Sequence, residues 1–242
     1  WDDYGQVSDT PAGNDFVQIS AGYHHSLALK ADGSIVSWGG DNYGQVSDTP
    51  AGNDFVQVAA GTYHSLALKA DGSIVSWGWD DYGQVSDTPA GNDFVQISAG
   101  YHHSLALKAD GSIVSWGGDD YGQISDTPAG NDFVQISAGY HHSLALKADG
   151  SIVSWGQDNN GQVSDTPAGN DFVQISAGGF HSLVLKADGS IVSWGWDIYG
   201  QVSDTPTGND FWRFEENVIT GSMDIRAIAN MSIKAIGAAG AS

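Results

Sequence analysis

Residues 21–39 read Ala21-Gly22-Tyr23-His24-His25-Ser26-Leu27-Ala28-Leu29-Lys30-Ala31-Asp32-Gly33-Ser34-Ile35-Val36-Ser37-Trp38-Gly39, and this stretch returns along the chain every 39 residues. Trp38, Trp77, Trp116, Trp155 and Trp194 mark the register, each inside Ser-Ile-Val-Ser-Trp-Gly. A fixed period of this length signals a repeat architecture in which one supersecondary unit stacks on its neighbours. Residues 1–195 make five such lengths, and a sixth follows the pattern from Trp196 to Phe211 before departing at Trp212. The boundary therefore falls at residue 211, with repeats over 1–211 and a divergent segment over 212–242.

Within one unit, Phe16 to Ser20 and Ser26 to Lys30 alternate, placing Val17 with Ile19, and Leu27 with Leu29, on one side of each segment. That is the period of a strand. Ala21 to His25 connects the two, and Asp32-Gly33 supplies the positive φ of a tight hairpin into a third strand, Ile35 to Trp38. Gly44 to Pro50, containing Gln45-Val46-Ser47, reads as a short fourth strand on the outer edge, where proline is tolerated. No stretch carries a helical stripe.

A lone sheet of this size cannot bury both its faces, whereas radial stacking covers each face with a neighbour. The expected fold is an all-β propeller of four-stranded blades, favoured over a linear β-solenoid. Small residues such as Ser20 and Ala28 allow close sheet-to-sheet approach, while Trp38 fills the wider outer space. Burying one tryptophan removes about 150–250 Å² from water, worth about 4–6 kcal/mol before entropy.

Seven blades of this length need about 273 residues, against the 242 present. Six blades closed by the termini fit better, with seven expected if the chain is a fragment. In the six-bladed ring, residues 1–9 supply an outer strand and the C-terminal segment supplies the inner strands of the same blade. Asp224 to Gly237 lies over Ser182 to Gly195 without gaps, with Ile236 in place of the tryptophan and Met231 in place of the turn glycine. The same tail divides into two octads, 223–230 and 231–238, which resemble the repeats of trimeric spike β-helices in phage tails.

Eight Lys plus Arg against 29 Asp plus Glu give a formal charge of -21. Such a surface repels phosphate backbones and anionic lipid headgroups, so neither nucleic acid nor membrane is an expected partner. No apolar run approaches the roughly 20 residues of a membrane helix, and no basic and apolar leader precedes Trp1. A soluble chain is expected, its compartment undetermined, with secretion or a place in a virion both compatible.

Histidines 25, 64, 103, 142 and 181 recur once per unit, always before serine. A propeller spreads them around its axis rather than gathering them at zinc-ligand distances, so each is expected to hydrogen-bond a neighbouring backbone, with no metal and no cofactor. Sequence-adjacent His and Ser in a turn do not form a triad, and no catalytic residues are assigned. Asp2-Asp3, Asp41, Asp80-Asp81, Asp119-Asp120 and Asp158 lack the spacing of a calcium loop and read as a solvated acidic rim.

Differences among the copies concentrate in two places. One is the turn after the first strand, with Tyr23, Thr62, Tyr101, Tyr140 or Gly179 followed by His24, Tyr63, His102, His141 or Phe180. The other follows Trp-Gly, with Trp1, Gly40, Trp79, Gly118, Gln157 or Trp196. In antiparallel blades both loops fall on one face of the disc. Exposed Tyr, Trp and His bury large area with little rotamer entropy, which makes them dominant in interfaces. The expected partner-binding residues are Trp1, Tyr23, His24, Tyr63, Trp79, Tyr101, His102, Tyr140, His141, Phe180 and Trp196. The charge favours a protein with a basic or mixed patch, and carbohydrate stacked on Trp1, Trp79 or Trp196 is the second ligand class.

The unit Ala-Gly-x-x-His-Ser-Leu-Ala-Leu-Lys-Ala-Asp-Gly-Ser-Ile-Val-Ser-Trp-Gly, followed by Tyr-Gly-Gln, resembles the repeat of the regulator of chromosome condensation family in its short bacterial form. The resemblance implies a propeller that binds partners through loops and channel mouths. Its founder is an exchange factor for a small GTPase and binds chromatin, and a secreted bacterial relative inhibits β-lactamases; neither activity carries over residue by residue. The expected function is a non-catalytic scaffold binding another protein. The alternative is a structural or adhesion component of a phage tail or injection-type appendage, anchored by residues 212–242.

Overall fold

The computed structural model describes residues 2–209. Five antiparallel sheets follow one another, each with three strands in sequence order. Blade 1 contains β1 (Phe16–Ala21), β2 (His25–Lys30) and β3 (Ile35–Gly39), and blade 2 contains β4 (Phe55–Ala60), β5 (His64–Lys69) and β6 (Ile74–Gly78). Blade 3 contains β7 (Phe94–Ala99), β8 (His103–Lys108) and β9 (Ile113–Gly117), and blade 4 contains β10 (Phe133–Ala138), β11 (His142–Lys147) and β12 (Ile152–Gly156). Blade 5 contains β13 (Phe172–Ala177), β14 (His181–Lys186) and β15 (Ile191–Gly195). Asp32-Gly33 makes the tight turn between β2 and β3, with Gly33 at φ +84° and the Asp32 carboxylate accepting from Ser34 N at 2.9 Å.

The blades are three-stranded, not four-stranded, and the described residues contain five of them, not six. The segment read as a fourth strand is a hydrogen-bonded turn. Asp48 N donates to Gly44 O at 3.1 Å and Thr49 N to Val46 O at 3.2 Å. The Asp41 carboxylate accepts from Val46 N at 2.8 Å and from Ser47 N at 2.9 Å. A carboxylate that offers backbone donors a local partner withdraws them from a ladder, the reason aspartate favours turns over strands. The equivalent aspartates 2, 80, 119, 158 and 197 make the same pair of bonds, so these residues of the acidic rim are turn caps. Residues 2–9 likewise form turns rather than a closing strand, and the segment 212–242 lies outside the described residues.

The turn still clamps the outer edge of its blade. Trp77 Nε1 donates to Gln45 O at 2.9 Å, a bond repeated from Trp38, Trp116, Trp155 and Trp194 at the same distance. Trp77, Trp116, Trp155 and Trp194 are buried.

A bulge between Phe16 and Gln18, repeated in every inner strand, shifts the alternation. Phe55 and Val58 both enter the core, while Val56 faces solvent. The valine at this second position, read as paired with the residue two along, is exposed in every blade, at Val17, Val56, Val95, Val134 and Val173.

Hydrophobic cores lie between blades, not within them. Leu27 and Leu29 of blade 1 pack with Phe55, Val58, Ala67 and Trp77 of blade 2, and the same set recurs at each later junction. Polar groups fix the junctions. Gln18 behaves as a displaced peptide unit: its Oε1 accepts from Val58 N at 2.9 Å and its Nε2 donates to Val58 O at 3.3 Å. Ser20 is an acceptor rather than merely a small residue, taking Ala60 N at 2.9 Å.

The recurrent histidines bond the serine hydroxyl of the next blade, not a backbone group. His25, His64, His103 and His142 place Nε2 2.8 Å from Ser65, Ser104, Ser143 and Ser182 Oγ. Closer to the axis, backbone bonds link successive blades: Thr62 N to Gly100 O, Tyr101 N to Tyr140 O and Tyr140 N to Gly179 O, at 3.1–3.2 Å. Gly100 stands where this ring leaves no room for a side chain. A Cβ there would lie 2.5 Å from Gly139 O and 2.5 Å from His103 Cε1.

Two outcomes follow from this construction. Burial holds His25 and His142 at about 4 and His64 and His103 at about 3. Above the unfolded value of about 6.5 these imidazoles are neutral folded or unfolded; below it only the unfolded chain takes up the protons. Stability is therefore nearly full at pH 7 and falls on acidification, the decline steepening below the unfolded value toward a limit of about 5 kcal/mol per pH unit for the four together near pH 5, measurable as urea midpoints at pH 7, 6 and 5, and His103→Gln makes that decline shallower. Separately, Gly100→Ala overfills the ring and lowers stability by about 1–3 kcal/mol, read from the same urea titration at pH 7.

Candidate functional site

Antiparallel pairing puts the turn leaving the first strand of a blade and the loop leaving its third strand at the same end of the sheet. There the aromatic side chains form a connected band. Tyr23 meets His24 at 4.4 Å between ring centroids, and His24 meets Tyr63 at 6.3 Å. Tyr63 contacts Trp79 at 5.6 Å and Tyr101 at 5.9 Å. Trp79 packs edge-on against His102 at 4.6 Å, and Tyr101 stacks on both His102 at 3.7 Å and Tyr140 at 4.1 Å. Tyr140 touches His141 and Phe180, and Phe180 touches Trp196. The structure thus brings together Tyr23, His24, Tyr63, Trp79, Tyr101, His102, Tyr140, His141, Phe180 and Trp196; Trp1 lies outside the described residues. Edge-to-face and offset-stacked contacts of this kind each add about 0.5–1.5 kcal/mol beyond area burial, so the band is a preorganised surface.

Five further tyrosines belong to it. Tyr4 packs on His24, Tyr43 on Tyr63 and Trp79, Tyr82 on Trp79 and His102, Tyr121 on His141, and Tyr199 on Trp196. All five are exposed. They come from the recurring Tyr-Gly-Gln, which a search for variation between copies passes over. The one signal in the sequence was Asn160, which occupies this position in blade 4.

At the centre the band surrounds a funnel of about 290 Å³. Its wall is the Ala-Gly pair of each blade, from Ala21-Gly22 to Ala177-Gly178, and its mouth carries Tyr23, Thr62, Tyr101, Tyr140 and Gly179. Glycine and alanine let five strand ends converge on the axis, and the tyrosines give the opening hydroxyls.

Two tyrosines and two histidines of the band are uncharged at neutral pH. Burial pushes the Tyr140 phenol up to about 12, helped by Tyr101, and raises Tyr63 for the same reasons. Burial holds His102 at about 4, with His141 adding to the effect and Asp120 opposing it. His141 is also lowered by burial against the pull of Asp120. These imidazoles are uncharged, with the Asp120 carboxylate acting on both.

Cations sit at the opposite end of the strands. Lys30, Lys69, Lys108, Lys147 and Lys186 lie 2.9–3.5 Å from Asp15, Asp54, Asp93, Asp132 and Asp171. Each ammonium also lies over the phenylalanine that starts its blade, Lys69 at 5.5 Å from the Phe55 ring centre. Among the described residues no group of three or more His, Cys, Asp or Glu could hold a metal ion, and no helix is long and apolar enough to cross a membrane.

Comparison with solved structures gives the ectodomain of the receptor kinase CR4 from Physcomitrella patens at TM-score 0.68 and 25% identity, covering 81% of this chain and 56% of that one. Prp20p from Saccharomyces cerevisiae, described with its binding properties to Gsp1p and histones, aligns at TM-score 0.62 and 25% identity over 74% of this chain and 57% of its own. Human WBSCR16 shares the fold at TM-score 0.64 and 21% identity, over 81% of this chain and 66% of that one. The chain therefore spans between about half and two thirds of these structures. Comparison with curated protein sequences gives no match. The regulator of chromosome condensation (RCC1) repeat matches five times, over residues 16–45, 55–84, 94–123, 133–162 and 172–201, and the chain belongs to that family.

Proposed function

We propose that the protein is a non-catalytic propeller scaffold that binds another protein through the aromatic band, the partner presenting a basic or mixed patch. The carrying observation is the continuity of the band: rings from all five blades touch in sequence at one end of the sheets. Aromatic residues held by their neighbours, half-buried in the band or exposed as at Tyr23, lose little entropy on binding, which is what concentrates binding energy in such residues. The charge distribution supports a cationic partner. The five described lysines are paired at the far end, so this end carries carboxylates that none of them pairs, and the chain as a whole carries -21. That Prp20p binds Gsp1p and histones is in keeping with partner binding by a related propeller.

The test uses a peptide array graded from acidic to Lys- and Arg-rich sequences. The wild-type chain retains the cationic peptides, and retention weakens with salt. The combined variant Trp79→Ala, Tyr101→Ala, Trp196→Ala weakens it by at least about 30-fold, the loss of a single hot spot of about 2 kcal/mol. Asp32→Asn, on the opposite face, leaves retention unchanged. Equal retention by the triple variant and wild type, or selection of a glycan panel over every peptide, would sink the reading.

A further inference from the structure

One position of the aromatic band departs from the rest. Tyr4, Tyr43, Tyr82, Tyr121 and Tyr199 each precede the glycine of Tyr-Gly-Gln, and Asn160 stands there after blade 4. The turn itself fixes the glycine. Gly161 has φ +80°, as its counterparts have +78° to +82°, and a Cβ on it would run into the Asp165 carboxylate. Only glycine holds such a backbone without strain. Exchanging tyrosine for asparagine at this point therefore creates the pair Asn160-Gly161, the single Asn-Gly of the sequence.

We propose that Asn160 is a self-modifying site, converted with water to aspartate and isoaspartate. The amide nitrogen of Gly161 loses its proton to hydroxide and attacks Cγ of Asn160. The bond from Cγ to the side-chain nitrogen breaks, and ammonia leaves with a proton taken from water, which returns the hydroxide. A five-membered succinimide remains. Water opens it at the side-chain carbonyl to give aspartate, or at the main-chain carbonyl to give isoaspartate, in which the chain runs through the side chain. Either product carries a carboxylate where a neutral amide stood. The new charge falls within the band, at the position from which Tyr121 contacts His141 and Tyr199 contacts Trp196 in the adjoining repeats.

The turn leaves both reacting groups available. Asn160 is exposed, and while its backbone N–H is held by Gln162 Oε1 at 2.7 Å, its carboxamide forms no hydrogen bond among the described residues. Gly161 N lies 3.3 Å from Asp158 O, beyond the usual range of an N–H···O bond. Every other asparagine among the described residues precedes Asp, Tyr or Asn, whose side chain crowds the attacking nitrogen. The five Asp-Gly pairs, which react through the same ring, are closed off. Gly33 N donates to Lys30 O at 3.0 Å, and the Asp32 carboxylate accepts from Ser34 N at 2.9 Å and Ser34 Oγ at 2.7 Å. Asp71, Asp110, Asp149 and Asp188 are held by serine in the same way. These bonds keep the Asp32 carboxyl below its ordinary range and so ionised, the form that resists attack.

The test incubates the full chain, folded and in guanidinium chloride, at pH 7 and pH 8. Tandem mass spectrometry of its peptides locates each amide-to-acid conversion, isoaspartyl methyltransferase labelling locates isoaspartate, and anion exchange separates chains that have gained a negative charge. In the folded chain, conversion at Asn160 precedes that at every other asparagine, runs faster at pH 8, releases ammonia in equal amount and leaves isoaspartate at 160 alone. In guanidinium chloride the five Asp-Gly pairs form isoaspartate as well, because the serine bonds that hold them are gone. Asn160→Gln, whose longer side chain needs a six-membered ring, and Asn160→Tyr, the residue of the other repeats, both abolish the more acidic form over the same period. A folded chain whose Asn160 keeps its amide while the unfolded chain converts would overturn the proposal. Isoaspartate appearing at the folded Asp-Gly pairs as fast as at 160, or a more acidic form that persists in Asn160→Gln, does the same.

Discussion

Everything in this fold depends on the recognition of one blade by the next through groups about 40 residues apart. A three-stranded sheet with strands of six, six and five residues has too little apolar surface to hold itself together. Leu27 and Leu29 become buried only because Phe55, Val58 and Trp77 arrive from the following blade. Apolar area alone would leave the sheets free to slide, since every blade presents nearly the same leucines. The bonds from Gln18 to the Val58 backbone and from His25 to Ser65 are directional and set the registration. Hydrophobic burial supplies the energy, and the buried polar pairs supply the position.

The same division governs the surface. The Ala-Gly turn must stay small because five strand ends meet at the axis, whereas the residues just after it line the mouth of the funnel, where larger side chains fit. Aromatic side chains therefore accumulate where the fold tolerates any size, and they touch one another because the blades are held close beneath them. The lysines, each fixed by an aspartate and a phenylalanine ring, occupy the other end of the strands. One set of inter-blade contacts thus produces both a quiet structural face and an aromatic face bordered by carboxylates.

Much of this was legible in the residues. The spacing of Trp38 and its copies, the Asp32-Gly33 turn and the alternation of Leu27 with Leu29 define the repeat, three of its strands and the propeller class. The fourth strand was misread because Gln45-Val46-Ser47 carries a short strand-like pattern, while the aspartate that captures its backbone donors lies outside that window. The bulge after Phe16 was invisible for a related reason: an extra residue changes which side chains face inward without changing composition. The tyrosines of Tyr-Gly-Gln went unnoticed as site residues because invariance between copies looks structural in a linear reading.

What the chain of residues determines alone is local: period, strand propensity, turn chemistry, and net charge, all of which act over a few neighbours or over the whole molecule at once. Which histidine meets which serine and which rings join into one band were decided only by tertiary structure. Those contacts join atoms far apart in sequence, and their identity is set by the distance and direction at which one sheet comes to rest on another.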